Sequence, residues 1–354
     1  MARRIWLDVT GVRPGSDTAA YALSLHAALL AVGETVLACH RRPGLVPITP
    51  EALRDLLILQ PMEFTGLRQA PAYPDPLSLA GCDADQALPS AGDIFVMVTL
   101  AGDAGRFAED GVRLVAIAAN VTVLSRPDWR EQAEIDLATE WLAQTAPHLS
   151  LAVVHSPEAA KVAQAAGIRA PRILAAAADA GDPLSEAAHP RPFIFASGEI
   201  SEAGQTRQLL LVWRRLMETM PQGMLPELVI AGPVGPQSQD VLSQLHNSRL
   251  LDGRARVILF PTPRQVAMFA RDCVFAIAMA APTGWGRGTL NAQVAGASCL
   301  SAYQSYGSVP FDPTNAASVA ARVRAWLVDP PVKPPVMTRH WDGVARDLLQ
   351  LLAA

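Results

Sequence analysis

What most constrains this chain is a rhythm that it runs through twice. Short apolar runs alternate with longer stretches of helical spacing. In the first half the runs are IWLDV (5–9), TVLAC (35–39), GDIFVMVTL (92–100), VRLVAIAANV (112–121) and LSLAVVHS (149–156). Helical patterns stand between them at 19–32, 50–59, 129–145 and 157–166. A strand with one wet face alternates apolar and polar residues, whereas a strand apolar throughout is covered on both faces. Such strands separated by helices predict a parallel sheet with a helical layer on each side. The stretch ADAGDPLSEAAHPRP (178–192) has no periodicity and reads as a linker. The alternation then restarts, with strands at 193–198, 227–232, 256–261, 274–280 and 298–302 and helices at 205–220, 240–246, 263–271, 290–297 and 316–328. A Pro-rich bend, DPPVKPP (329–335), precedes a last amphipathic helix at 340–352.

The expected fold is therefore α/β: two tandem, doubly wound, Rossmann-like domains facing a cleft. Their bounds read as 1–185 and 190–336, with a C-terminal segment, 337–354, that packs back across the cleft. A length of 354 residues gives each half an ordinary domain size. Charge excludes several partners: 29 basic against 33 acidic residues, net −4, makes no electrostatic case for nucleic acid. No run of 18 apolar residues exists, and Asp8 interrupts the apolar run at the N-terminus. A reducing cytoplasm is the expected location. The four cysteines, Cys39, Cys82, Cys273 and Cys299, form no C-x-x-C pair, and the seven histidines never cluster at metal spacing. His155, which ends a buried run near the predicted cleft, is the one histidine worth testing. Asp83-Ala84-Asp85 sits in a Pro-rich loop rather than after a strand and reads as chance. No G-x-S-x-G elbow is present.

Open parallel sheets bind ligands beyond the C-terminal ends of their strands. The loops that matter are therefore 10–18, 119–126, 197–206, 232–238 and 280–289. The last holds Gly284, Gly286 and Gly288, alternating with Trp285 and Arg287 and followed by a helical pattern. Such a turn lets backbone N–H groups approach an anion at a helix N-terminus. Its third glycine falls one residue early for G-x-G-x-x-G, so it is no dinucleotide fingerprint. Bland readings stand beside the functional ones. Arg287 can be a solvated helix-start arginine, Trp285 an interdomain packing residue and Thr283 a turn cap. Asn291 can be an ordinary helix-face amide. The first loop, GVRPGS (11–16), carries Gly11, Arg13 and Gly15; it can also be a plain strand-to-helix turn capped by Ser16 or Asp17.

Several stretches carry a family resemblance. They are LLLVWRRLMETMPQGMLPELVIAGPVG (209–235), ARVILFPTPRQVAMFARDCVFAIAMAAPTGWGRGTLNAQVAGAS (255–298), SVPFDPTNAASVAARVRAWLVD (308–329) and RHWDGVARDLLQLL (339–352). With IWLDVTGV and GVRLVAIAANVTVLSRPDW in the first half, they resemble the retaining nucleotide-sugar glycosyltransferases of the GT-B fold. The most similar group is the bacterial one that builds surface polysaccharides. The resemblance implies a nucleotide-diphosphate sugar as donor, no cofactor and no metal. It implies a glycan or lipid-linked acceptor, and either peripheral association with the inner membrane or a partner glycosyltransferase.

That family's signature is E-G-F-G-x-x-x-x-E, its glutamates holding the donor sugar and the ribose. Here Gly284, Trp285 and Gly286 match G-F-G, but the glutamate positions are Thr283 and Asn291. The family's R-K-N, whose cations clamp the diphosphate, falls on Ala203, Gly204 and Gln205, with Arg207 two residues late. Its H-D pair falls on Ala119 and Asn120. The resemblance thus assigns Gly198, Gln205, Arg207, Gly284, Trp285, Gly286, Arg287, Gly288 and Asn291 to the donor, and Gly11, Arg13 and Gly15 to the acceptor-side loop. It assigns no catalytic side chain, since Thr283, Asn291, Ala119 and Asn120 are all neutral. Two functions follow: an active hexosyltransferase of polysaccharide or glycoconjugate assembly, or an inactive relative that binds or scaffolds an active glycosyltransferase.

Overall fold

The computed structural model describes residues 3–41, 45–67, 88–178, 190–221, 223–280, 283–301, 309–312, 315–332 and 339–353. Most of the linker, the Asp83–Asp85 stretch and Cys82 lie outside them. In chain order the strands are β1 (Ile5–Asp8), β2 (Val36–His40), β3 (Val46–Ile48), β4 (Met62–Glu63), β5 (Ile94–Met97), β6 (Arg113–Ile117), β7 (Leu149–Val154), β8 (Arg172–Ile173), β9 (Phe193–Ser197), β10 (Glu227–Gly232), β11 (Ala255–Leu259), β12 (Ala276–Ala278), β13 (Cys299–Ser301) and β14 (Val309–Pro310).

They form two seven-stranded sheets, ordered β3-β2-β1-β5-β6-β7-β8 and β14-β13-β12-β9-β10-β11-β4. Neighbours run parallel except β2 with β3 and β11 with β4. These are the two doubly wound α/β lobes that the alternation predicts. Both faces of each sheet are covered, and successive residues feed opposite cores. Ile5 and Leu7 join one cluster, while Trp6 joins another with Phe95 and Trp141. In the second lobe Ile194 and Ala196 join one cluster, while Phe193 and Phe195 join another with Phe269.

Two elements differ from expectation where the cleft is built. The helix expected over 129–145 starts three residues late. A 3₁₀ turn, Pro127–Trp129, is followed by extended backbone at Arg130 (φ −124°, ψ 157°), and the helix proper is Gln132–Gln144. The helix after the glycine turn is Arg287–Val294, three residues earlier than 290–297. It starts early because Gly286, at φ 76°, supplies the left-handed cap that a side chain would resist.

Three segments cross between the lobes. β4, from the first half of the sequence, lies antiparallel along β11 with Met62 opposite Leu259 and Glu63 opposite Ile258. Helix Trp341–Ala353 follows the second lobe in sequence but packs on the first. Its Val344, Leu348 and Leu352 join the cluster of Leu25 and Leu29. Trp341 Nε1 donates to the Ala178 carbonyl at 2.9 Å, and Arg113 Nη1 donates to the Leu352 carbonyl at 2.6 Å. Third, Trp285 and Leu290 of the second lobe enter that same first-lobe cluster. Among the described residues no helix is long and apolar enough to cross a membrane.

Candidate functional site

Each sheet has one place where strand order reverses. In the first it lies between β1 and β5, in the second between β9 and β12. The loops leaving those four strands splay apart there and leave a crevice, which is where open α/β sheets bind ligands. In this protein the two crevices face each other. A void of about 110 Å³ is bounded by the loops after β1 and β5, with Gly11, Arg13, Thr99 and Ala101 on its wall. A smaller void of about 60 Å³ is bounded by the loops after β9 and β12, with Gly198, Ala203, Gly204 and the whole run from Thr283 to Thr289. Asp17, Thr18, Asn120, Arg130 and Glu199 line both, so the two voids adjoin.

The glycine turn stands where the sequence put it, but its first half is spent on the other lobe. Gly284 forms a backbone bridge with Asn120, and the Thr283 carbonyl accepts from Val121 N at 2.8 Å. Thr283 caps no turn; its Oγ1 lies 2.6 Å from Oγ1 of Thr122, a buried bond between hydroxyls of opposite lobes. The indole of Trp285 is 3% exposed and donates to the Asp17 carbonyl at 3.1 Å. It stands edge-on to Tyr21 and Trp341, with centroids 5.6 and 5.8 Å away. This is interdomain packing, and the ring is not free to stack on a base. Arg287 pairs with Asp17 across the cleft at 2.9 Å.

The second half of the turn remains on the void. Helix Arg287–Val294 opens onto it, and its first intrahelical bond runs from Leu290 N to the Gly286 carbonyl. The N–H groups ahead of that bond have no partner within the helix. A Cβ on Gly288 would meet the Ser197 carbonyl at 2.5 Å, so this glycine lets the helix start press on the end of β9. Asn291, 6% exposed, is inside the helix packing and is not on the void's wall.

Among the positions that the resemblance gives to cations, a Cβ on Gly204 would meet the Glu199 carbonyl at 1.6 Å, so no lysine fits there without moving the loop. Gln205 is buried, left-handed at φ 55°, and bonds to the Glu202 carbonyl at 2.9 Å. Arg207 turns away from the cleft, pairing with Glu202 at 2.5 Å and Asp240 at 3.5 Å, and is not on the wall of either void. Ala119 is fully buried in the first-lobe core. Asn120 Oδ1 accepts from Thr122 N at 2.8 Å, an internal turn bond. On the acceptor-side loop, Gly11 and Arg13 line the 110 Å³ void. Gly15 instead faces an apolar cavity of about 500 Å³ between helix Asp17–Ala31 and Phe260–Pro263 of the second lobe.

Two charged residues that the sequence did not single out occupy the junction of the voids. Arg130 reaches it from the first lobe, its backbone carbonyl held by Gln237 Nε2 of the second at 3.0 Å. Glu199 reaches it from the end of β9, with Oε1 accepting from Ser201 Oγ at 2.5 Å. Arg13 pairs with Glu131 at 3.1 Å and Glu134 at 3.3 Å. Burial pushes the Glu134 carboxyl up, against the pull of Arg130 and Arg13. Among the described residues no three His, Cys, Asp or Glu side chains are grouped to hold a metal.

No protein-family model matches the chain, and no curated protein matches it in sequence. Solved structures match it over its whole length at low identity. Sucrose-phosphate synthase from Thermosynechococcus elongatus aligns with a TM-score of 0.67 at 12% identity, over 99% of this chain and 98% of that one. HepE from Anabaena, solved with UDP and glucose, gives 0.63 at 10% identity over 100% of both chains. The UDP-GlcNAc 2-epimerase of Methanocaldococcus jannaschii, solved with UDP-GlcNAc and UDP, gives 0.52 at 10% identity, also over 100% of both. The shared architecture is the GT-B fold.

Proposed function

We propose that this GT-B-fold protein moves a sugar from a nucleoside-diphosphate donor to a glycan or lipid-linked acceptor in polysaccharide or glycoconjugate assembly. The reading is of a metal-independent, retaining hexosyltransferase. The observation that carries it is the facing of two switch-point crevices, with a helix N-terminus and glycine turn on their common void. Two proteins of the same fold were solved with UDP and a sugar or sugar nucleotide, which favours that ligand class here. In the transfer, the bond from the anomeric carbon to the donor's phosphate oxygen breaks. A bond from that carbon to the acceptor's hydroxyl oxygen forms, and the hydroxyl proton leaves with the nucleoside diphosphate.

The lobes stand closed on each other. Ligand sites of this kind need several hundred Å³, roughly 300–1,000, against about 110 and 60 Å³ in the two adjoining voids. Donor entry therefore begins with parting of Gly284 from Asn120, Thr283 from Thr122 and Arg287 from Asp17. The helix start contributes about 0.3–2 kcal/mol to an anion and cannot by itself balance the leaving diphosphate.

The test is a panel of UDP- and GDP-sugars, assayed for released nucleoside diphosphate with and without glycan and lipid-linked acceptors. Turnover of at least one donor is expected. Silence across the panel, with little or no thermal stabilisation by UDP or GDP, supports the second reading, an inactive binding or scaffolding partner of an active enzyme. That reading is favoured by one feature, the use of Thr283 as a lobe-to-lobe contact where the resemblance expects a donor-binding carboxylate. Silence with clear saturable stabilisation removes the simplest form of that second reading.

A further inference from the structure

The second lobe offers the void no cation at the positions where the resemblance expects two. Arg207 points elsewhere and Arg287 is paired with Asp17. The first lobe supplies one instead. The Arg130 side chain is 9% exposed and lines both voids, the smaller of which also has Gly284 to Gly288 on its wall. Its Nε is buried with no hydrogen-bond partner. Its Nη1 stands 3.8 Å from Glu134 and 3.9 Å from Glu199, too far for a hydrogen bond to either. A guanidinium is always charged, and a buried Nε–H left without an acceptor is costly unless a ligand engages it. Neighbouring arginines contrast with this: Arg13 sits at 3.1 Å from one carboxylate, and Arg287 at 2.9 Å from another.

We infer that Arg130 is the cation that binds the donor's diphosphate, reaching it from the first lobe opposite the helix start at 286–289. This rests on the reading of the protein as a nucleotide-sugar transferase and names the residue that completes its anion site. Arginine suits the task because its planar fork meets two phosphate oxygens at once. The location has a consequence. The charge reaches the donor only when the first lobe is closed over it, so one residue joins donor neutralisation to lobe closure. Glu199 and Glu134 hold the guanidinium in place before the donor arrives, at distances from which an anion can take it over.

The experiment measures UDP, GDP and uridine binding by titration calorimetry on the full chain, as wild type, Arg130→Met, Arg130→Lys and Arg207→Met. Methionine keeps much of the packed stem while removing charge and donors. UDP or GDP affinity is expected to fall about 10- to 100-fold in Arg130→Met, as loss of charge-assisted hydrogen bonds implies. Lysine should recover part of it. Arg207→Met should bind as wild type does. Uridine, without phosphate, should bind wild type and Arg130→Met alike, and the salt dependence of UDP binding should be shallower in the variant. Equal UDP affinity in wild type and Arg130→Met overturns the inference while leaving the transferase reading intact. A matched loss for uridine and UDP also overturns it, since a purely structural role would do that. If wild type neither binds a diphosphate nor turns over a donor, the inference falls together with that reading.

Discussion

His155 tests how the aromatic seam between the lobes responds to acid. It directly follows β7, and the residue is 7% exposed. Nδ1 lies 2.7 Å from the Leu174 carbonyl, so Nδ1 carries the proton of the neutral ring, while Nε2 is buried without a partner. Burial pushes the imidazole pKa down from 6.5 to about 4, outweighing the Leu174 carbonyl, which favours the cation. The ring packs on Tyr21 at 4.9 Å, and Tyr21 contacts Trp285 and Trp341. The unfolded chain thus takes up a proton near pH 6.5 that the folded protein takes up only near pH 4. Between those values the unfolded state binds more protons, so stability falls as pH falls through the window and rises with pH. Going from about pH 7.5 to about pH 4.5, the one group removes about 2–3 kcal/mol. Urea denaturation of wild type and His155→Phe, at both pH values, isolates it. The wild type should lose about 2–3 kcal/mol more than the variant on acidification. Equal losses would refute the assignment of a buried neutral imidazole.

Two other substitutions probe the turn. Gly288→Ala should cost about 1–3 kcal/mol by overpacking, because the new methyl group meets the Ser197 carbonyl at 2.5 Å; an unchanged Tm would show that the helix start yields freely. Trp285→Ala removes a ring from between the lobes, where large aromatic truncations cost about 3–5 kcal/mol. Hydrogen exchange at 17–21 and 119–122 should quicken more than in the strand β10, and uniform exchange would count against a seam.

The fold was largely written in hydrophobic periodicity. Runs such as FIFASG and ELVIAG need two covered faces, and that need alone dictates helices on both sides of a parallel sheet. Positions of the loops followed from the same reasoning, including the turn at Gly284–Gly288. The structure's departures have local causes. Trp129 to Thr145 has helical spacing, yet the chain is extended at Arg130 and the helix begins at Gln132, which leaves Arg130 in a loop on the wall of the cleft. Glu199 carries no signal in SGEIS beyond being polar after a strand. Nothing in the residues around Thr283 signals that it bonds its counterpart Thr122, 161 residues distant. β4 has two residues in an unpatterned, Pro-rich stretch, and no periodicity exists in a segment that short.

That two-residue strand alters what counts as a separable piece of this protein. Expressed alone, 190–336 would bare the backbone edge of β11 that Met62 and Glu63 cover, inviting self-association. The N-terminal half alone would equally lack the C-terminal helix that shields Leu25 and Leu29. Severing the polypeptide between the lobes would therefore yield not two independent modules but two fragments that need each other, recoverable as a single particle only when produced together.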